Sequence, residues 1–313
     1  MNGITSLSVI HAYMFGILAL LTLATTTVLV LKQLKPGKNF TEPLLRIRTW
    51  WLIILLLFGA LLLSRGSAIV FFGLISYLGF KEFITLIPTR QADHRVLVWA
   101  YCAIPVQYFW AYIEWYGMFI IYIPIFMFLL LPVRMLLRGQ TEGFLKTAGT
   151  LQWGLMTTVL SLSHLAYLLV LPDDGPAEQM GVGLVLYLIS LTEINDVTQY
   201  LWGKSCGHRK VVPEVSPNKT WAGLAGGVAT TTLLAPLLAP MLTPLSVFHA
   251  LLVGSLIGLS GFFGDICISA VKRDIGIKDT GTLLPGHGGI LDRVDSLTFT
   301  APLFFHFVHY FYF

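Results

Sequence analysis

Apolar runs long enough to cross a bilayer recur along the whole of this 313-residue chain. A run of that kind has one stable form in lipid. A helix closes its own backbone hydrogen bonds, and about 20 residues span a hydrocarbon core of about 30 Å. The runs lie near residues 9–31, 50–64, 67–87, 96–113, 117–133, 150–171, 180–198, 221–242, 246–271 and 296–313. The second is short, and the last also fits an interfacial helix. The expected fold is therefore all-α and polytopic, with about eight to ten transmembrane helices. A mean hydropathy of +0.76 excludes an ordinary soluble domain.

The charges test this reading. With the N-terminus outside, the odd-numbered connections and the span ends beside them carry 19 of the 20 basic residues. These include Lys32, Lys35, Lys38, Arg46, Arg48, Lys81, Arg90, Arg95, Arg134, Arg138 and Lys146. Further along they include Lys204, Arg209, Lys210, Lys219, Lys272, Arg273, Lys278 and Arg293. Only Arg65 is left over, while Glu114 and the acidic run Asp173, Asp174 and Glu178 fall on the other side. That asymmetry follows the positive-inside rule. The net charge of +4 then belongs to cytosolic loops and is no nucleic-acid footprint. The first 31 residues lack a basic n-region and a small-residue cleavage site, so they read as a retained span. Cys102, Cys206 and Cys267 show no CxxC spacing and support neither zinc nor a disulfide framework.

Two regions of one continuous membrane domain differ in character. Residues 1–190 read as a transmembrane scaffold, with Trp50, Trp51, Trp99, Trp110 and Trp115 near span ends as interfacial anchors. Glu82, Glu114 and His164 are isolated there, and solvation or a local partner explains them. Residues 191–313 read as the catalytic region. Glu193 and Asp196 fall toward the cytosolic end of the seventh span, and Asp265 lies inside the ninth. A mid-membrane carboxylate costs about 2.5–3.5 kcal/mol on insertion scales, so it faces a polar cavity or a partner. Asp265, Ser269 and Lys272 are spaced i, i+4, i+7, with Arg273 adjacent, which makes one polar stripe suited to a metal-bound phosphate.

The densest charge follows. Lys278, Asp279, Asp292, Arg293 and Asp295 surround Pro285-Gly286-His287-Gly288-Gly289. A tight glycine turn exposes backbone N–H groups to an anion, and carboxylates three apart on a helix point the same way. His287 in that setting positions phosphate or the turn. Upstream, Ser216, Lys219 and Thr220 can donate to phosphate oxygens, or the same loop simply caps the next helix; spacing leaves both open. Gly203-Lys204-Ser205 is no P-loop, because Thr198 stands where the pattern needs glycine.

Ser269, Lys272-Arg273, Lys278-Asp279, Pro285-Gly286-His287-Gly288-Gly289, Asp292-Arg293 and Asp295 together resemble the signature of phosphatidate cytidylyltransferases, the CDP-diacylglycerol synthases. Asp196, Tyr200, Gly203, Gly207 and Ser216-Pro217-Asn218-Lys219-Thr220 resemble a second block of that family. The resemblance covers the C-terminal part of the chain. It departs at Gln199, where the family usually has alanine, and at Trp202 and Cys206, which leaves the lipid acceptor open. The resemblance implies an integral membrane enzyme that joins CTP to phosphatidic acid and releases pyrophosphate. It implies magnesium on Asp265 and Asp292 with Asp295 near, and catalytic roles for Lys272, Arg273, Lys278, Asp279 and His287. Ser216, Lys219, Thr220, Ser269 and Arg293 would bind substrate. Cytosolic CTP and inward basic loops put the site toward the cytosol, and the compact loops and lack of a targeting extension favour a bacterial inner membrane. No nucleic-acid partner is expected, and a homodimer is left open. The competing readings are a paralogue that activates another lipid phosphate with CTP, and an ion-coupled transporter.

Overall fold

A computed structural model describes residues 2–87, 94–137, 141–171 and 177–313 of the chain. Arg90, Arg138, Asp173 and Asp174, which entered the charge count, lie outside the described residues. Among the described residues eleven helices follow one another along the chain. They are α1 (Asn2–Leu34), α2 (Thr41–Leu63), α3 (Arg65–Leu86), α4 (His94–Tyr112) and α5 (Tyr116–Leu136). Next come α6 (residues 144–168), α7 (Ala177–Cys206), α8 (Trp221–Leu242) and α9 (Val247–Asp274), then the short α10 (Leu291–Val294) and α11 (Leu297–Tyr312). Helices α5 and α6 each contain a π-helical stretch, Tyr122–Met127 and Leu155–Leu160. Among the described residues there is no strand, only two isolated bridges, Lys210 with Thr220 and Leu284 with Gly288.

Seven of these helices are long and apolar enough to cross a membrane, among the described residues. The other three expected spans, over 96–113, 150–171 and 296–313, are helical as α4, α6 and α11; α11 has only 16 residues. The second span is not short. Helix α2 starts at Thr41, with Pro43 in its first turn where a missing N–H costs nothing. Arg46 and Arg48 are thus helical residues, and Arg46 pairs with Glu42 one turn earlier at 2.5 Å. Large apolar side chains point outward, Leu63 at 80% exposure and Leu20 at 70%. For a helix in lipid that is the ordinary condition.

Sequence explains the break between α2 and α3. Ser64 takes an extended backbone (φ −170°, ψ 161°), and its hydroxyl accepts from the Ser67 N–H at 3.0 Å. Ser67 returns the bond to the Ser64 N–H at 2.9 Å, so a reciprocal cap starts α3. Arg65, the one cation left over by the charge count, forms an ion pair with Glu114 at the α4–α5 turn. Charge counting assigns both to one side, and the fold joins them.

Lipid is as apolar as leucine, so these helices associate by close packing and polar contacts rather than by escape from water. Helix α8 buries Gly223, Gly227, Thr231, Ala235 and Ala239, one stripe at every fourth residue. This small face lets α7 and α9 approach its backbone. A Cβ on Gly227 would lie 2.3 Å from Gln199 Cγ. Polar bonds cross the same interfaces: Tyr187 Oη donates to the Ala235 carbonyl at 3.1 Å and Asn195 Nδ2 to the Gly258 carbonyl at 3.3 Å. Each such bond contributes about 0.6 kcal/mol on average. On α11 the buried ring of Phe305 packs against His164 and Tyr167 of α6, and that of Phe304 against Tyr187 of α7.

Candidate active site

Helix α9 supplies the first group of charged side chains and then stops abruptly. Gly276 has φ +74°, a left-handed conformation that glycine adopts without steric cost. The Ile277 N–H reaches back to the Lys272 carbonyl at 2.8 Å and the Gly276 N–H to the Arg273 carbonyl at 3.1 Å. These two bonds form a Schellman cap that satisfies the last carbonyls and sends the chain back across the helix end. Residues 277–290 then form a loop whose tip is closed by the Leu284 N–H on the Gly288 carbonyl at 2.9 Å. Gly286 and Gly288 sit at φ +76° and +83°.

The loop and α9 meet at Asp292. Its Oδ1 accepts from the Lys272 ammonium at 2.8 Å. Its Oδ2 accepts from the Thr280 N–H at 2.8 Å, the Gly289 N–H at 3.0 Å and the Thr280 hydroxyl at 3.0 Å. Asp292 and Lys272 are buried, at 7% and 9% exposure. Burial works against the carboxylate's charge. The Lys272 hydrogen bond and the Gly289 and Thr280 N–H groups outweigh it, holding the carboxyl below its ordinary range.

A second carboxylate group gathers around Asp265, about two helical turns before Lys272 on α9. Lys219 Nζ stands 2.5 Å from Asp265 Oδ2 and donates to Gln199 Oε1 at 3.1 Å. Ser269 donates to Asp265 Oδ1 at 3.2 Å, as the i, i+4 stripe anticipates. Ser296 donates its hydroxyl to Asp196 Oδ2 at 2.9 Å, while Asp196 Oδ1 is buried with no partner among the described residues. Burial and then the nearby Asp265 and Asp196 carboxylates push Asp295 well above its ordinary range. Burial disfavours the Lys219 ammonium, but Asp265 and then Asp196 more than offset this and raise its pKa.

The remaining residues singled out from the sequence are at the rim. Arg273 is exposed; its Nε donates to the Val215 carbonyl at 3.2 Å and Nη1 to the Ile277 carbonyl at 3.0 Å. It thereby ties the loop before α8 to the end of α9. Lys278, Asp279 and Arg293 are exposed. The Thr220 hydroxyl accepts from the Gly223 N–H at 3.1 Å and so caps α8, while Ser216 lies in the preceding turn. The His287 ring meets Trp50 edge-on at 5.9 Å, which gives that tryptophan a contact beyond interfacial anchoring. Burial, then the Arg293 charge, lowers the His287 pKa.

Hard carboxylate oxygens suit magnesium, and a partnerless buried Asp196 oxygen beside the Asp265 and Asp295 carboxylates fits a cation. No finished cage exists: among the described residues no three carboxylate or histidine groups converge as a metal set. Asp292, expected from the sequence as a ligand, has both oxygens engaged. Three site residues carried too little signal to be found from the sequence: Glu82, Thr280 and Gln199 in its role of holding Lys219. Glu82 bonds Thr280 across 198 residues of chain, a separation that no local spacing encodes.

The sequence profile of the "Cytidylyltransferase family" matches residues 44–311. An Escherichia coli (strain K12) protein named "Uncharacterized protein YnbB" is 48% identical over 292 residues, which is 93% of this chain and 96% of that one. A "Phosphatidate cytidylyltransferase" of Bacillus subtilis (strain 168) is 39% identical over 129 residues, 41% of this chain and 48% of its own. One of that name from Haemophilus influenzae is 40% identical over 139 residues, 42% and 46% of the two chains. This chain thus spans about half the length of the relatives that carry that name. With the family profile matched from α2 to α11, the chain is a polytopic, all-helical membrane protein that belongs to the cytidylyltransferase family.

Proposed function

We propose that this protein transfers CMP from CTP to phosphatidic acid, giving CDP-diacylglycerol and pyrophosphate. The observation that carries the reading is the convergence of Lys272, Asp292, Lys219 and Asp265 on one loop-and-helix unit next to a glycine turn. In the reaction a phosphate oxygen of the lipid bonds to the α-phosphorus of CTP. The bond from that phosphorus to the bridging oxygen breaks, and pyrophosphate leaves with the electron pair. Both reactants are anions, so most of the catalysis is positioning and charge neutralisation. A phosphate nucleophile is ionised at neutral pH, so no general base is required.

Asp265 and Asp295 are the residues that would hold magnesium, with Asp196 beside them; Asp292 would join them by releasing Lys272. When bound, the cation neutralises and aligns phosphate oxygens. Lys272 is held inside the site by Asp292, and once released from it the ammonium can meet phosphate charge. Arg273 and Lys278 present cations at the rim to the triphosphate. Ser216 offers a hydroxyl proton beside Thr220, which caps α8, and Arg293 stands near the glycine turn that carries His287. Gln199 holds Lys219 from the position where the family usually has alanine, so the acceptor panel extends beyond phosphatidic acid.

The test is purified protein in mixed micelles with magnesium, labelled CTP and several lipid phosphates. Label is expected in the lipid phase with equimolar pyrophosphate, most strongly from phosphatidic acid. Absence of pyrophosphate release with every acceptor sinks the reading, and stronger labelling of a different lipid phosphate replaces the acceptor.

The charge partition adds a prediction about sidedness. Cysteines placed at Lys35 and at Arg138 are expected to react with an impermeant maleimide only from the cytosolic side. A cysteine at Asp174 is expected to react only from outside. Labelling of the Asp174 position from the cytosol alone would show a wrong span count between α5 and α7.

A further inference from the structure

We propose that Glu82, on the third helix of the scaffold region, is a positioning residue for nucleotidyl transfer that sets the register of Asp292 and Lys272. The proposal rests on the cytidylyl-transfer reading above. Glu82 sits one turn before the end of α3, far from the signature residues in sequence. Its Oε1 accepts from the Ile290 N–H at 2.9 Å, and its Oε2 accepts from the Leu291 N–H at 2.9 Å. One carboxylate thus grips two successive amides, and the residue after them is Asp292. Hydrogen bonds to an ionised acceptor are roughly twice as strong as neutral ones, so the grip is directional and firm.

The same Oε2 lies 3.3 Å from the Thr280 hydroxyl, which lies 3.0 Å from Asp292 Oδ2. The hydroxyl has one proton for two carboxylates, so Glu82 and Asp292 share it. A chain of contacts therefore runs from α3 through Thr280 to Asp292 and on to the Lys272 ammonium. It approaches Asp292 from both sides of the loop, at 280 and at 290–291. The second glycine of the Gly288-Gly289 pair has its explanation here. Gly289 does not have positive φ, but a Cβ there would lie 2.4 Å from Glu82 Oε2 and 2.4 Å from the Thr280 hydroxyl. Gly281 faces the other oxygen, where a Cβ would lie 3.1 Å away. The loop is stripped of side chains where this carboxylate enters.

Anchorage alone does not require Glu82. Helix α2 already holds the loop tip, through the Thr49 hydroxyl on the Pro285 carbonyl at 2.8 Å and Trp50 against His287. Glu82 differs in touching the backbone and hydroxyl that orient Asp292. Its loss should therefore appear in the chemical step more than in nucleotide affinity.

Glu82→Gln keeps the size but turns an NH2 group toward a backbone donor; Glu82→Asp keeps the charge on a shorter arm. Glu114→Gln, at the α4–α5 turn, serves as control. Two readouts are taken on each purified variant: amide hydrogen exchange over residues 280–291, and kcat and KM for CTP. In Glu82→Gln the Ile290 and Leu291 amides are expected to exchange faster, with the other helices unchanged. Loss of such an orienting partner is expected to lower kcat about 10–100-fold, with the KM for CTP altered far less. Glu82→Asp should recover part of kcat, and the control should match wild type in both readouts. Wild-type exchange at 290–291 in Glu82→Gln overturns the proposal, as does a wild-type kcat with a loosened loop. If the wild-type protein itself transfers CMP to no lipid phosphate, the transfer reading and the positioning role both fall. The exchange comparison then still decides whether Glu82 holds the loop.

Discussion

Asp265→Asn is expected to lower CTP-dependent product formation by about a hundred- to a thousandfold, the scale seen when one preorganised electrostatic contact is lost. The amide keeps the shape and can still accept from Ser269. It lacks the charge that faces the Lys219 ammonium at 2.5 Å and that a divalent cation would require. Lys219 would then turn wholly toward Asp196 and Asp295, filling the space where phosphate-bound magnesium is proposed. The variant should insert and fold, because Asn is tolerated where a carboxylate lay among other carboxylates. Product formation is measured across a magnesium titration, with detergent-solubilised protein checked for a single gel-filtration peak. A rate near wild type would remove Asp265 from the mechanism. Asp292→Asn should also lose activity, through the carboxylate charge that would join the cation and through the Lys272 and loop donors that it now holds.

The second large effect separates neighbouring cations. Lys272→Gln strands Asp292, which is 7% exposed, without its cation. Leaving a buried charge uncompensated costs about 3–5 kcal/mol, here reduced by the N–H donors from Thr280 and Gly289 that remain. A clear fall in Tm and a large loss of turnover are expected together. Arg273→Gln changes an exposed side chain that clips the Val215 and Ile277 carbonyls. Its Tm should change little, while KM for CTP rises, kcat falls, or both, according to whether the contact is equal in ground and transition states. Arg273→Lys should not fully restore the enzyme, since an ammonium cannot span two acceptors as a guanidinium fork does. Thermal unfolding in detergent and CTP kinetics check both. An unchanged Tm in Lys272→Gln would show that the buried pair contributes nothing to the fold.

The fold class was readable from the sequence because a lipid solvent leaves a chain few choices. Every apolar run had to become a helix, and ten expected spans correspond to helical segments. Helix boundaries were less legible. Residues 41–49 carry Glu42, Arg46 and Arg48, whose charge hid the first turns of α2, although Pro43 and the Glu42–Arg46 spacing are helix signals. The Ser64 cap, by contrast, is written in local chemistry, within the segment from Ser64 to Ser67.

Within the site, sequence spacing alone placed Ser269 over Asp265 and put Lys272 on the same face, because a helix repeats every 3.6 residues. It also marked Gly286 and Gly288 as turn residues. Tertiary structure alone decided the partners. That Lys272 meets Asp292, that Lys219 meets Asp265, and that Glu82 holds the loop from α3 depends on how three helices and two loops pack in three dimensions. A carboxylate's charge is visible in sequence, but its partner is set by close approach of backbones across separations of 20 residues for Lys272 and Asp292 and 208 for Glu82 and Ile290. Small residues such as Gly227 and Gly289 permit that approach, and their Cβ-free space has no meaning until the neighbour that fills it is in place.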